Sequence, residues 1–572
     1  MAPSRATVLA FRKRPGGAIL PAELIVTNAR ILTMDVARPT AEAIALDGGK
    51  ILAVGSRAEI AALAGPATRT IDARDGSVLP GFIESHLHML MGAAELSQLQ
   101  LLGVHGFDEL SAKVRAYASA NPERKLLVAQ GADYTILSAT EPMSRHHLDR
   151  ILPDRALALV SPDHHTMWAN TKALEMAGIL HGKQVGAGNE VVMGDDGLAQ
   201  GELRESEAMG PVSELAGESR IRLGITTGGE PEVPPTAEER AADRAIMARG
   251  LEYAAEHGIT SFHNMDGNLY QLELLAELEA EGKLLCRARV PFHYKNFMTV
   301  DILEKASMMA KTYNTDWIRS DFVKMFMDGV LDSWTAVMVE PYADRPDWVG
   351  EPLFEASEFA TIATEIDRRG LQIAVHAIGD GAVRSTLDGY EAAQKANGRR
   401  DSRHRIEHIE VTTEADVPRF AELGVVCSMQ PPHPPGSMGL PLEPTVSRIG
   451  RERWPLAYAW RTLKDTGAHV VFASDWPVSP IDPIAGIQAA VLRKPWADDM
   501  PDHSFPLREA IAGYTVEGAY VEFTEDRKGR LKPGYLADLV VLSADVESVA
   551  PEALHEVRPV VTICGGRVTF ER

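Results

Sequence analysis

Two histidines two residues apart, His86 and His88, close the run Pro80-Gly81-Phe82-Ile83-Glu84-Ser85-His86-Leu87-His88. Side chains alternate faces along an extended strand, so positions i and i+2 share one side, and two imidazoles placed there can hold one metal ion. His-x-His alone is a weak sign. It gains weight from its place at the end of an apolar segment, Val78 to Ile83, because parallel βα folds present reactive groups at the C-terminal ends of their strands. Further polar residues occupy comparable places downstream: Lys324 before Met325-Phe326-Met327-Asp328-Gly329, then His376, His408 and Asp475. Such a nitrogen- and oxygen-rich set suits zinc or a related divalent ion. Taken singly, His376 or His408 would more often be a hydrogen-bonded strand histidine and Asp475 a helix cap or loop carboxylate. Their joint placement reverses those odds.

Positioning these residues requires a repeating βα framework. Eight apolar runs read as strands: Val78 to Ile83, Ile259 to His263, Cys286 to Pro291, Asp321 to Met325, Leu371 to His376, His404 to His408, Val425 to Met429 and His469 to Ser474. Helical stretches fill the gaps, among them Arg240 to Glu256, Leu269 to Glu281, Ala356 to Arg369, Gly381 to Ala396 and Ala457 to Thr466. This pattern predicts an α/β fold, a (β/α)8 TIM-like barrel over residues 76–525 that would gather the strand-end residues at one mouth. A barrel needs about 250 residues, so the excess is assigned to an insertion at about 90–240, after the first barrel strand, with Gly- and Pro-rich excursions at His181 to Gly197 and Gly228 to Pro235. Short β-type runs at both chain ends predict a small composite β-sandwich domain from residues 22–75 and 526–572. Residues 1–21, with Pro15-Gly16-Gly17 near their end, read as a flexible arm.

Composition narrows the partners. The 572 residues include 58 basic and 80 acidic side chains, a formal charge of -22, which argues against nucleic acid or an anionic membrane as the main partner. No run of about 18 apolar residues is present to span a bilayer. Three widely spaced cysteines, Cys286, Cys427 and Cys564, offer neither a disulfide framework nor a CxxC site and suit buried thiols in a reducing cytoplasm. Homodimerisation is expected on general frequency alone.

The ordered motifs Pro80-Gly81-Phe82 to His86-x-His88, Lys324-x-x-x-Asp328-Gly329, His376-Ala377-Ile378-Gly379-Asp380, Arg405-Ile406-Glu407-His408 and Ser474-Asp475-Trp476-Pro477 resemble the amidohydrolase superfamily. Within it they are similar to the large amidohydrolase branch that includes N-substituted formamide deformylases, over nearly the whole chain. The resemblance implies that His86, His88, Lys324, His376, His408 and Asp475 are ligands of one or two divalent metals, zinc in type, and that Lys324 is an N6-carboxylysine. A carbamate would give an anionic oxygen to each of two ions about 3.5 to 4 Å apart; an uncarboxylated Lys324 would instead pair with an acid such as Asp328 and leave one metal. The chain departs from the family where an aspartate usually stands two residues before the first ligand, here Glu84. Gly529-Arg530-Leu531-Lys532-Pro533-Gly534 resembles the family's return into the small sheet.

The implied reaction is hydrolysis of a non-peptide C–N bond in a small N-acyl, N-formyl or cyclic amide, with Asp475 as general base and then general acid. The segment Asp163-His164-His165-Thr166-Met167-Trp168-Ala169-Asn170 resembles a family motif, Asp-Gly-His-x-x-Trp-x-Asn, with His164 in place of the glycine. It makes His165 a candidate to polarise the scissile group and Trp168 and Asn170 candidates for substrate contact; the plainer alternative is that Asn170 caps the helix after it. Asp328, Gln430 and His433 complete the expected substrate set. Two other readings stay open: an aminohydrolase releasing ammonia from a heterocycle, and a barrel kept as a non-catalytic scaffold.

Overall fold

The computed structural model describes residues 21–138, 140–186, 188–216, 229–231 and 233–572. The expected N-terminal arm lies, but for Pro21, outside the described residues, as do Gly228 and Glu232 within the second excursion.

Eight parallel segments among the described residues carry the site. Phe82–Leu87 pairs with Ile259–Asn264, which pairs with Arg287–Arg289. The third segment is broken at Val290-Pro291 and resumes at Phe292–His293, which pairs with Phe322–Phe326. From there the order runs through Gln372–Ala377, Arg405–His408 and Val426–Met429 to Val470–Phe472. A parallel bridge between Leu87 and Trp476 joins the eighth segment's exit back to the first, so the pairing closes into a ring. Most of these strands are buried along their whole length although they carry polar side chains such as Glu84, Thr260 and Glu407.

Two expected boundaries are corrected. The run Val78 to Ile83 is not one strand: Ser77–Pro80 pairs with Arg30–Leu32 and Leu539–Leu542 in a sheet built from the chain ends, and the ring strand begins at Phe82. Gly81 sits at the handover, where a Cβ would lie 2.3 Å from the Thr260 side chain; only glycine allows that approach. The third strand reaches beyond the expected Pro291 to His293, which stands abreast of Lys324.

Helices cover the ring at the expected places. Ala237–Glu256 starts with a reciprocal cap between Thr236 and Glu239, and Ala356–Arg368 packs its apolar stripe, Phe359, Ile362, Ala363 and Ile366, inward. Between the first and second ring strands the chain builds a separate six-stranded mixed sheet from Leu99–Gln100, Leu126–Gln130, Ala156–Val160, Thr166–Ala169, Glu190–Met193 and Ala199–Arg204, with an apolar cluster on each face. The chain ends form a four-stranded sheet and a six-stranded sheet that share an apolar cluster. No helix among the described residues is long and apolar enough to cross a membrane.

Candidate metal centre

The first ring strand brings His86 and His88 to one carboxylate. Asp475 Oδ1 lies 3.1 Å from His86 Nε2 and 3.0 Å from His88 Nε2, across a gap of nearly 400 residues. Each imidazole is held from behind by another acid. His86 Nδ1 donates to Glu407 at 2.6 Å, and His88 Nδ1 donates to Asp266. A carboxylate can only accept, so His86 Nδ1 carries the proton and its Nε2 is the free ligand atom; that buried Nε2 has no well-aligned hydrogen-bond partner among the described residues. Burial works against protonation of His88, but Asp266 and Asp475 outweigh it and raise its pKa to about 10. Asp475 is also buried, yet His86, His88 and His408 hold its carboxyl well below the usual range.

His408 ends the sixth strand, its Nδ1 donating to Gln430 Oε1 at 2.9 Å and lying 3.8 Å from Asp475 Oδ2. His86, His408 and Asp475 each offer a ligand atom within 4.8 Å of the others. His376 ends the fifth strand with its ring 4.5 Å from that of His408; its Nε2 donates to the Gly329 carbonyl at 2.9 Å, which keeps that nitrogen out of the tight group. Burial pushes both of these histidines well below their ordinary pKa, giving the neutral form that binds metals. Lys324 is fully buried, its Nζ stands over the Phe326 ring at 4.5 Å, and it finds no hydrogen-bond partner among the described residues. Burial lowers its pKa to about 8 against the pull of Glu407, Asp475 and Asp266.

The donor set fits a divalent cation. A buried imidazole nitrogen and a buried amine without hydrogen bonds are costly unless a ligand completes them, and both lie beside an ionised carboxylate and neutral histidines. Glu84, where a shorter acid was expected, accepts from the Ser474 amide at 2.8 Å and so ties the eighth strand to the first; burial raises its carboxyl to about 8.

A cavity of about 850 Å³ opens over this group and is lined by His86, His88, His376, His408, His433 and Asp475 on the ring side. The insertion closes the other side with His165, whose Nδ1 meets both oxygens of Glu205 at 3.0 and 2.9 Å. Burial alone would depress His165, and Glu205 outweighs it to raise the pKa to about 9. His433 stacks on His408 at 6.0 Å with its Nε2 3.8 Å from Asp475.

Three of the six expected substrate residues lie off the cavity wall. Trp168 is buried in the insertion core against Tyr134, and Asn170 caps Thr171–Met176 by accepting from the Ala173 amide while its Nδ2 donates to Leu152 and Arg155. Neither lines the cavity; the plain helix-cap reading of Asn170 is the one the structure bears out. Gln430 lies behind His408 rather than on the cavity wall. Asp328 borders the cavity, but its oxygens accept from the amides of Val337, Ile378 and Gly379 at 2.9 to 3.0 Å. The residues that sequence reading passed over are Asp266, Glu407, Glu205 and His293. His293 lines the cavity and stacks on Phe326 at 5.4 Å, and its Nδ1 has no hydrogen-bond partner among the described residues. Its signal was a histidine just past Pro291, at the end of a strand assumed to stop there.

Comparison with known proteins follows the same lines. A model described as the amidohydrolase family matches residues 69–570. The chain is 29% identical to the protein LONG AFTER FAR-RED 3 of Arabidopsis thaliana over 93% of this chain and 88% of that one. It is 23% identical to N-substituted formamide deformylase of Arthrobacter pascens over 96% and 98% of the two. Among solved structures, an uncharacterized metal-dependent hydrolase from Pyrococcus furiosus superimposes with a TM-score of 0.67 at 26% identity, over 90% of this chain and 98% of that one.

Proposed function

The chain belongs to the amidohydrolase family, and from that premise we propose that it hydrolyses a non-peptide C–N bond in a small N-formyl, N-acyl or cyclic amide at the His86–Asp475 centre, on a (β/α)8 barrel. The carrying observation is the convergence of the His86 and His88 Nε2 atoms on one Asp475 oxygen, beside a buried Lys324 amine that finds no hydrogen-bond partner among the described residues. We assign His86, His88, His408, His376, Lys324 and Asp475 to hold one or two zinc-type ions. Lys324 is then the site of carboxylation: burial lowers its amine towards the neutral form, whose nitrogen adds to carbon dioxide with loss of one N–H proton to solvent and so gains two anionic oxygens.

A divalent ion bound there supplies Lewis acidity and eases loss of a proton from water. Asp475, ionised and facing the cavity, accepts that proton on a carboxylate oxygen and delivers it to the departing nitrogen, so the net change is amide plus water to carboxylic acid plus amine. His165 donates from its Nε2 to the scissile carbonyl oxygen as charge develops there. Asp266 and Glu407 keep the two strand-end imidazoles aimed. All three cysteines are buried and unpaired, which suits the cytoplasm.

A panel of formanilide, acetanilide, hydantoin and adenine separates the readings. Release of aniline, or ring opening of hydantoin, is expected, without ammonia from adenine. Ammonia release alone would instead make the chain a deaminase, and inertness to the whole panel would count against amide hydrolysis. Electron density for a carboxylate on Lys324 Nζ decides the modification; a bare amine in the metal-loaded protein would contradict it.

A further inference from the structure

Glu205 precedes the helix Ser206–Ser213 with its backbone at φ 64° and ψ 168°, a region that residues other than glycine rarely occupy. A glycine would adopt it without strain. What glutamate gains there is the aim of its side chain. Both carboxylate oxygens meet His165 Nδ1, and the Glu205 amide donates to the His165 carbonyl at 2.9 Å, so the two residues grip each other through backbone and side chain together. Thr335, from the loop after the fourth ring strand, donates its hydroxyl to Glu205 Oε1 at 3.0 Å. The same loop is cut back to admit the carboxylate: a Cβ on Gly329 would lie 3.0 Å from Glu205 Oε1 and 2.1 Å from Thr335 Oγ1. The His165 ring makes no other hydrogen bond among the described residues, lines the cavity, and lies 6.1 Å from the His376 ring.

We propose that Glu205 is a positioning residue for the hydrolysis, a strained glutamate that fixes His165 with Nδ1–H turned to its carboxylate and Nε2 turned to the scissile group. The insertion then supplies part of the catalytic apparatus, and Thr335 braces that part against the ring. This rests on the amide-hydrolase reading above and extends it from the ring to the insertion.

Kinetics on formanilide, or on the panel amide cleaved fastest, test the proposal. Glu205→Gln keeps a hydrogen-bonding group but loses the charge, and is expected to lower kcat on the order of 10- to 100-fold with KM within about twofold. His165→Asn should fall at least as far, and the double variant no further than His165→Asn alone, because the two act as a unit. Unchanged kcat in Glu205→Gln, or losses that multiply in the double variant, would overturn it. The strain is read separately from activity: Glu205→Gly should melt about 2 °C above Glu205→Ala, since both lose the carboxylate and only glycine relaxes the backbone. Equal or inverted melting would refute the strain. If wild type cleaves no amide, the hydrolase reading falls by itself, and the crystal structure of Glu205→Ala still decides the positioning: His165 must leave its present orientation, and an unmoved ring contradicts the assignment.

Discussion

At the scale of single residues, the site is built from groups held away from their ordinary states. His408 and Asp475 adopt φ of 78° and 61° at the ends of the sixth and eighth strands, a left-handed backbone that costs on the order of 1–3 kcal/mol and persists where the surroundings impose it. Asp475 is the residue on which the proposed proton transfers turn. Asp475→Asn is expected to leave metal content intact and reduce turnover about 10²- to 10⁴-fold; paired metal analysis and kinetics check this, and unchanged turnover would remove its acid–base role. The ligand candidates were legible because they recur in ordered motifs at or near the ends of the strand-like segments. Their supports were not, since Glu407 reaches His86 across the ring interior, and Asp266 reaches His88 from the end of the second strand, only once the ring has formed. Trp168 and Asn170 mark the opposite error, where a motif-like spacing serves packing and a helix cap.

Among the elements, the turn after the fifth strand is held by its neighbour. Asp328 binds it to the loop after the fourth strand by accepting from three amides, two of them buried, and a Cβ on Gly379 would stand 2.1 Å from the Val337 carbonyl. These contacts set where His376 points. Asp328→Ala strands three donors at once and is expected to destabilise the protein by about 3 kcal/mol or more, measured by denaturant unfolding; a loss within about 0.5 kcal/mol would mean that the clamp is dispensable. Strand positions were readable from apolar runs, and helices such as Ala356–Arg368 from their periodicity. Boundaries were harder. Val78 to Ile83 is one apolar run shared by two sheets, and the local sign of the handover is the Pro80-Gly81 breaker within it.

Across the whole molecule, a buried polar chain joins the C-terminal segment to the metal centre. Glu522 accepts from His263 Nε2, His263 Nδ1 accepts from Arg405, and Arg405 donates to Glu407, which holds His86. Burial lowers His263 to about 4, so it serves as a neutral relay of hydrogen bonds. Arg405 also donates to the Ser85 carbonyl and Ser428 hydroxyl, spanning the ring interior. Arg405→Met leaves Glu407 buried without its cation and is expected to cost about 3–5 kcal/mol, seen as a lower Tm; an unchanged Tm would deny the chain a structural role. The order of strands could be anticipated from the alternation of runs and helices after Ile259, and His165 from its motif, whereas the insertion's own sheet and the approach of Glu205 to His165 depend on long-range packing that no motif records. The central claim, a divalent metal held by the strand-end residues, is tested most directly by elemental analysis of wild type, His86→Ala and His408→Ala after purification and metal addition. At least about one equivalent of divalent metal is expected in the wild type and a marked loss in both variants. A wild type that takes up none, or variants that retain the full complement, would contradict the claim.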